Sequence, residues 1–428
     1  MLKYHKVIFF IVPLFFLLSI FAGLNLTPDS WAYIDGGLNL ASGKGYFYNC
    51  NYHPVTLFAP GYSLLLCFFF TLFGTTTLAI FIANSVMFIL FNLLLYHLFL
   101  KKSPGSIILL NQLVLNFIFA RYFCAALSEA IFLPLFICWI YMINREHKTG
   151  GNSYLFISII LAEMLLVGTR YAGILLIISM YGTFFIMMCY QLFRKESIRA
   201  KDLLVFIRPV VAVLMLVVIR YSLGSAGGKH QFLFGSGKFN WYEYPLQVIT
   251  DIGTTVFGQA ASFQLEKHAL LLPLGLLTII LCGCLFSIKI NKLFVAFLAV
   301  CIVVHIVFLS NVWVDDPLKG RYFLWFYLIL ILFAQIKVRQ VKYAGTINWY
   351  KTGIGVFIAF QVLDFSYGSY QKYVTVWDRD HIGFLKPGMV FKGENTYSDN
   401  IFDAHLNKDL PVNKIISPCY RWNLIRKK

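Results

Sequence analysis

A succession of apolar runs separated by short basic loops leaves this chain few ways to fold. In hydrocarbon every backbone N–H and C=O must be satisfied within the segment, so a run of about 20 apolar residues becomes a spanning helix. Such runs lie near 7–26, 77–100, 105–121, 130–144, 153–170, 171–193, 203–222, 270–288, 293–311, 322–336 and 346–368. Composition agrees, with 59% hydrophobic and only 13% charged residues, which excludes an ordinary soluble domain. The expected architecture is an all-α polytopic membrane bundle of about eleven helices. The runs at 130–144 and 322–336 are the shortest of the set.

One further apolar segment, 61–73, is too short to cross. At about 1.5 Å per residue it reaches roughly 20 Å against a core of about 30 Å. It is read as a juxtamembrane helix in the outer leaflet. The loop charges support this. With 61–73 not spanning, the inner loops hold Lys101, Lys102, Arg145, Lys148, Arg194, Lys195, Arg199, Lys201, Lys289, Lys292, Lys337, Arg339 and Lys342. The outer segments hold Asp29, Asp35, Glu129, Glu243, Asp251, Glu266, Asp315 and Asp316. A spanning 61–73 would reverse every later loop and place the lysines outside, against the positive-inside rule. Lys3 and Lys6 put the N-terminus in the cytoplasm, and the first run is read as a retained helix. The C-terminus is then extracytoplasmic.

The formal charge of +17 is spread through membrane-flanking loops and is no nucleic-acid signal. Neither a Gly-rich phosphate loop after a strand nor a Walker sequence occurs, which argues against a dinucleotide-binding unit and an ATP-driven pump. The nine cysteines are scattered, most of them in apolar runs. Cys50 and Cys419 fall in outward segments and could pair, though nothing demands it. Two units follow: a membrane domain over 1–368 and a small polar tail over 369–428. The first outer loop covers 27–76, and a second long one, rich in glycine and aromatics, covers 223–269.

Polar residues collect at the outer rim. Thr27-Pro28-Asp29-Ser30-Trp31-Ala32-Tyr33 follows the first run directly and places a carboxylate at the lipid–water boundary. Arg121 and Glu129 flank one outer turn, Arg170-Tyr171 stands at the next, Arg220-Tyr221 ends the seventh run and Arg321-Tyr322 begins the tenth. Converging guanidinium groups suit a phosphate in a semi-dry site. Arginine and tyrosine at helix ends are equally common as interfacial anchors. Asp29 also suits a helix N-cap, and Glu129 a first helical turn. Glu163 is an acid inside a run, too far from Arg170 for a direct pair, so an interhelix bond and a catalytic role weigh equally. Asp315-Asp316 offers oxygen ligands to a divalent cation, the one cofactor candidate, and a solvated loop is the more common explanation of such a pair. No histidine or cysteine spacing matches a metal motif.

At these positions the chain resembles the GT-C superfamily of integral-membrane glycosyltransferases. It is most similar to the branch of protein O-mannosyltransferases, lipid A aminoarabinose transferases and bacterial lipopolysaccharide sugar transferases. The pieces are Asp29-Ser30 with Tyr33, Ser42-Gly43-Lys44-Gly45-Tyr46-Phe47, and Ala59-Pro60-Gly61-Tyr62 leading to Phe73-Gly74. Then come Ser128-Glu129-Ala130-Ile131-Phe132, Thr169-Arg170-Tyr171-Ala172-Gly173 and Gly320-Arg321-Tyr322. Many members carry a second acid beside the first, where this chain has Ser30, and Pro-Pro where it has Ala59-Pro60.

The resemblance implies transfer of a sugar from a polyprenyl-phosphate donor to an acceptor hydroxyl of a lipid, glycan or protein at the outer face. Asp29 is then the catalytic carboxylate. Arg121, Arg170, Arg321 and Lys44 are expected to hold the donor phosphate, and Tyr33, Glu129, Tyr171 and Tyr322 the rest of the substrate. The expected setting is a bacterial inner membrane, with membrane lipids as neighbours and no nucleic-acid partner. An O-antigen-type polymerase or ligase would show one large outer loop late in the chain. A transporter would show repeats and broken helices at mid-membrane.

Overall fold

The computed structural model describes residues 13–21, 23–25, 28–47, 58–100, 122–149, 153–170, 172–195 and 203–222, the tail strands at 384–385, 389–393, 414–417 and 420–426, and single positions at 116, 119, 120, 297, 300, 304, 352, 359 and 362. These residues are mostly helical. In chain order they form α1 (13–21), β1 (Leu24–Asn25), α2 (Pro28–Ala41), α3 (Gly61–Phe73) and α4 (Thr77–Leu95), which ends in a π turn over Tyr96–Leu100. Next come α5 (Glu129–Thr149), α6 (Ser153–Thr169), α7 (Ala172–Phe193) and α8 (Ile207–Ser222). The short strands β2 (Phe384–Leu385), β3 (Met389–Gly393), β4 (Lys414–Ser417) and β5 (Tyr420–Arg426) complete the set.

Two described helices, Thr77–Leu98 and Gly173–Phe193, are long and apolar enough to cross a membrane. The juxtamembrane reading of 61–73 matches α3 in its bounds. Its Tyr62, Ser63, Leu66, Phe69 and Phe70 are buried, while Leu64, Phe68 and Leu72 form an exposed apolar stripe at i, i+4 and i+8. α5 runs beyond the expected 130–144, because the polar turn ending at Thr149 stays helical and carries Glu146 to a partner on α8. Most of the expected spans at 105–121, 270–288, 293–311, 322–336 and 346–368, and the loop at 223–269, lie outside the described residues.

The segment 27–76, expected to be the first outer loop, holds a helix, α2. Pro28 opens it, since its fixed φ suits a first helical residue and its missing N–H is not needed there. Asp29 therefore lies in the first turn and not at the capping position considered for it. α2 packs closely on α3. A Cβ on Gly36 would overlap the Tyr46 ring and stand 2.9 Å from Ser63 Oγ, and one on Gly37 would stand 2.9 Å from Leu66 Cβ. The buried core runs through α1 to α7, with Phe88, Phe91, Phe119 and Phe123 as interlocking rings.

The tail returns to the start of this unit. β1 pairs with β2 in antiparallel register, Leu24 opposite Leu385 and Asn25 opposite Phe384. The remaining strands form an antiparallel sheet in the order β3-β5-β4.

Candidate functional site

The site is built where α2, α3, α5 and α6 meet. α2 supplies Tyr33, whose hydroxyl donates to Ser128 Oγ at 3.0 Å. Ser128 is the residue before α5, and its hydroxyl points on to Glu129 Oε2 at 3.4 Å. Glu129 opens α5 as its first-turn acid, where the helix dipole favours a carboxylate. It forms an ion pair with Arg170, the residue just past the end of α6. Phenol, hydroxyl, carboxylate and guanidinium thus make one chain across three helices. Glu129 is 1% exposed and Ser128 2%, so the chain lies in a low-dielectric setting where each polar link counts for more than in water.

The surroundings hold this line in place. The Tyr33 ring meets Phe58 and Tyr62 edge-on at centroid distances of 5.3 and 5.5 Å. Its carbonyl accepts from Ser63 Oγ of α3 at 2.9 Å. Tyr62 donates to Asn84 Oδ1 of α4 at 2.7 Å, and Asn84 Nδ2 donates back to the carbonyls of Phe123 and Ala125 at 2.9 and 2.8 Å. Those carbonyls belong to the turn that delivers Ser128 and Glu129. Burial pushes the Tyr62 phenol above its ordinary pKa, so it stays a protonated donor to Asn84. α3 meets the end of α6 without clearance: a Cβ on Gly61 would stand 2.7 Å from the Gly168 carbonyl oxygen and 2.8 Å from Thr169 Cα.

Three of the motif pieces singled out in sequence therefore converge on a fourth. Asp29-Ser30 with Tyr33, Ala59-Pro60-Gly61-Tyr62, Ser128-Glu129 and Thr169-Arg170 occupy one end of the described bundle. Asp29 stands one turn before Tyr33 on α2. Ser30 is fully buried. Lys44 sits elsewhere. It is exposed on the turn after α2, its N–H donating to the Asn39 carbonyl at 2.8 Å, about 20 Å of helix away from Asp29. Arg121, Tyr171, Arg321, Tyr322, Asp315, Asp316, Cys50 and Cys419 lie outside the described residues.

Sequence reading overlooked several participants. Asp35, counted among outer-loop acids, is 1% exposed within α2. Asn84 sits in an apolar run, and its polar side chain in such a run was the available signal. Glu163 was not overlooked: of the interhelix bond and the catalytic role weighed for it in sequence, the fully buried carboxylate makes interhelix bonds, accepting from Trp139 Nε1 at 3.1 Å and Tyr181 Oη at 2.7 Å. Among the described residues no group of three His, Cys, Asp or Glu side chains is gathered as a metal site would need.

No family model matches the sequence, and no curated protein does. Among solved structures the fold is similar to that of ArnT from Cupriavidus metallidurans bound to undecaprenyl phosphate, with a TM-score of 0.56 at 14% identity. The match covers 82% of this chain and 62% of ArnT, so the chain spans less than two thirds of that protein's length. The likeness is one of fold: the described residues are mostly helical, and this chain shares its overall fold with that protein.

Proposed function

We propose that this protein is a GT-C glycosyltransferase that moves a hexosyl or pentosyl unit from a polyprenyl-phosphate donor to an acceptor hydroxyl, at the outer face of a bacterial inner membrane, in envelope glycan or glycolipid assembly. The observation that carries the reading is the convergence of Tyr33, Ser128, Glu129 and Arg170 beside the start of α2, in a fold shared with a protein solved with undecaprenyl phosphate.

In this reading Asp29 is the general base. It takes the proton of the acceptor hydroxyl as that oxygen attacks the anomeric carbon from the face opposite the phosphate. The bond from the anomeric carbon to the phosphate oxygen breaks, its electron pair leaves with the phosphate, and the configuration inverts. Arg170, with Arg121 and Arg321 as further cations, stabilises the charge that builds on the departing phosphate, and Lys44, about 20 Å of helix from Asp29, takes no part in that step. Such a leaving group needs little protonation, so one carboxylate suffices for the proton transfer. Tyr33 and Glu129, with Tyr171 and Tyr322, line the substrate. Glu129 orients Arg170 and sets a negative charge that a donor phosphate must displace from the guanidinium.

Asp29→Asn keeps size and polarity and removes the base. The expected outcome is turnover reduced by at least about a hundredfold with donor affinity within about twofold of wild type. An Asn variant that turns over normally contradicts the base assignment.

A further inference from the structure

Glu163 lies inside the apolar helix α6, within the run 153–170 that the sequence marks as a span, and the reaction proposed above does not use it. It is fully buried on α6. One carboxylate oxygen accepts from Trp139 of α5 and from Tyr181 of α7, and the other, Oε2, has no partner among the described residues. A buried carboxylate with an unsatisfied oxygen is a costly way to hold three helices together, and apolar side chains of that volume would pack them as well. What apolar packing does not supply is a single register. Helices with Leu-like surfaces slide against each other with little penalty, whereas an acid with two fixed donors is satisfied at one axial position only.

The placement gives that register a consequence. Arg170 lies seven residues after Glu163, about 10 Å along α6, and Glu129 lies ten residues before Trp139, about 15 Å along α5. The two helices run antiparallel, so both links join the same pair of elements at different heights. A second clamp reinforces the lower one. Arg208 of α8, 1% exposed, donates through both terminal nitrogens to Glu146 of α5 and lies 4.4 Å over the Phe156 ring of α6.

We propose that Glu163 is a positioning residue for the outer ion pair: by fixing α6 in register against α5 and α7, it fixes the place at which Arg170 meets a lipid-linked phosphate. The inference rests on the reading of Arg170 as a phosphate ligand. A merely structural Glu163 would lower stability without acting through Arg170, and this separates the two roles.

The test is a double-mutant cycle on the full chain in nanodiscs, with undecaprenyl phosphate as the probe. Glu163→Leu is expected to weaken binding about tenfold in the wild-type background and less than about twofold beside Arg170→Ala. Glu163→Gln, which keeps an acceptor for Trp139, is expected to fall between. An equal loss in both backgrounds overturns the proposal. If Glu163→Leu does not fold, Trp139→Phe removes one donor, keeps a ring, and runs through the same cycle. If Arg170→Ala leaves affinity unchanged, the phosphate reading fails instead. Register is then read without lipid, as the distance between spin labels at Ile131 of α5 and exposed Leu165 of α6 in a cysteine-free background. A shift or broadening of about 5 Å, one helical turn, in Glu163→Leu supports the positioning role, and an unchanged distribution overturns it.

Discussion

In the proposed function, Arg170 and Glu129 together decide how a phosphate enters this site. The carboxylate stabilises the guanidinium in a nearly dry setting, yet it also occupies the charge that an incoming phosphate needs. A neutral amide at 129 keeps the shape and relieves the competition. Glu129→Gln is therefore expected to bind bare undecaprenyl phosphate about fivefold more tightly, read by titration calorimetry. Turnover is expected to fall, because the line from Tyr33 through Ser128 loses its charged end. Unchanged or weaker binding contradicts the competition between Glu129 and phosphate. The residue types at this rim were legible in sequence, since acids and arginines beside long apolar runs stand out. Their partners were not. Nothing local to Glu129 says that Arg170 lies across from it, and Arg208 drew no notice because Glu146, 62 positions away, gives it meaning.

The helices show the same division. α3 was legible to its ends, because a run too short to cross is a length argument, and length is local. α2 was not, because Gly36 and Gly37 interrupt its pattern and read as loop, although they are what lets α3 come close. Gly61 makes the same kind of contact at the site. With a Cβ only 2.7 Å from the Gly168 carbonyl, Gly61→Ala must push α3 off the end of α6. The expected cost is about 1–3 kcal/mol of stability, read by thermal unfolding in detergent, with weaker undecaprenyl phosphate binding alongside because Arg170 follows Thr169 directly. An alanine variant with wild-type stability and affinity contradicts the close approach of the two helix ends.

Across the whole molecule, the chain leaves the bundle after α1, builds α2 and α3 on one side, and comes back to that side at Phe384 to pair with β1. The polar tail is thus tied to the segment just ahead of Pro28 and Asp29 by backbone hydrogen bonds. Sequence placed the tail and the first outer loop on one side from loop charges alone; the pairing of Leu385 with Leu24, a residue of the expected first span 7–26, brings the tail to the segment just before that loop. The strand register that makes the contact could not be read, since two-residue strands carry no periodicity.

The central claim is that this outer-rim cluster binds the phosphate of a polyprenyl lipid. The direct measurement is saturation binding of undecaprenyl phosphate to the purified protein in nanodiscs, wild type against Arg170→Ala. Saturable binding in the wild type, weakened about ten- to a hundredfold by the substitution, is the predicted result. No saturable binding, or equal affinity in both proteins, would contradict it and leave Arg170 as a structural partner of Glu129.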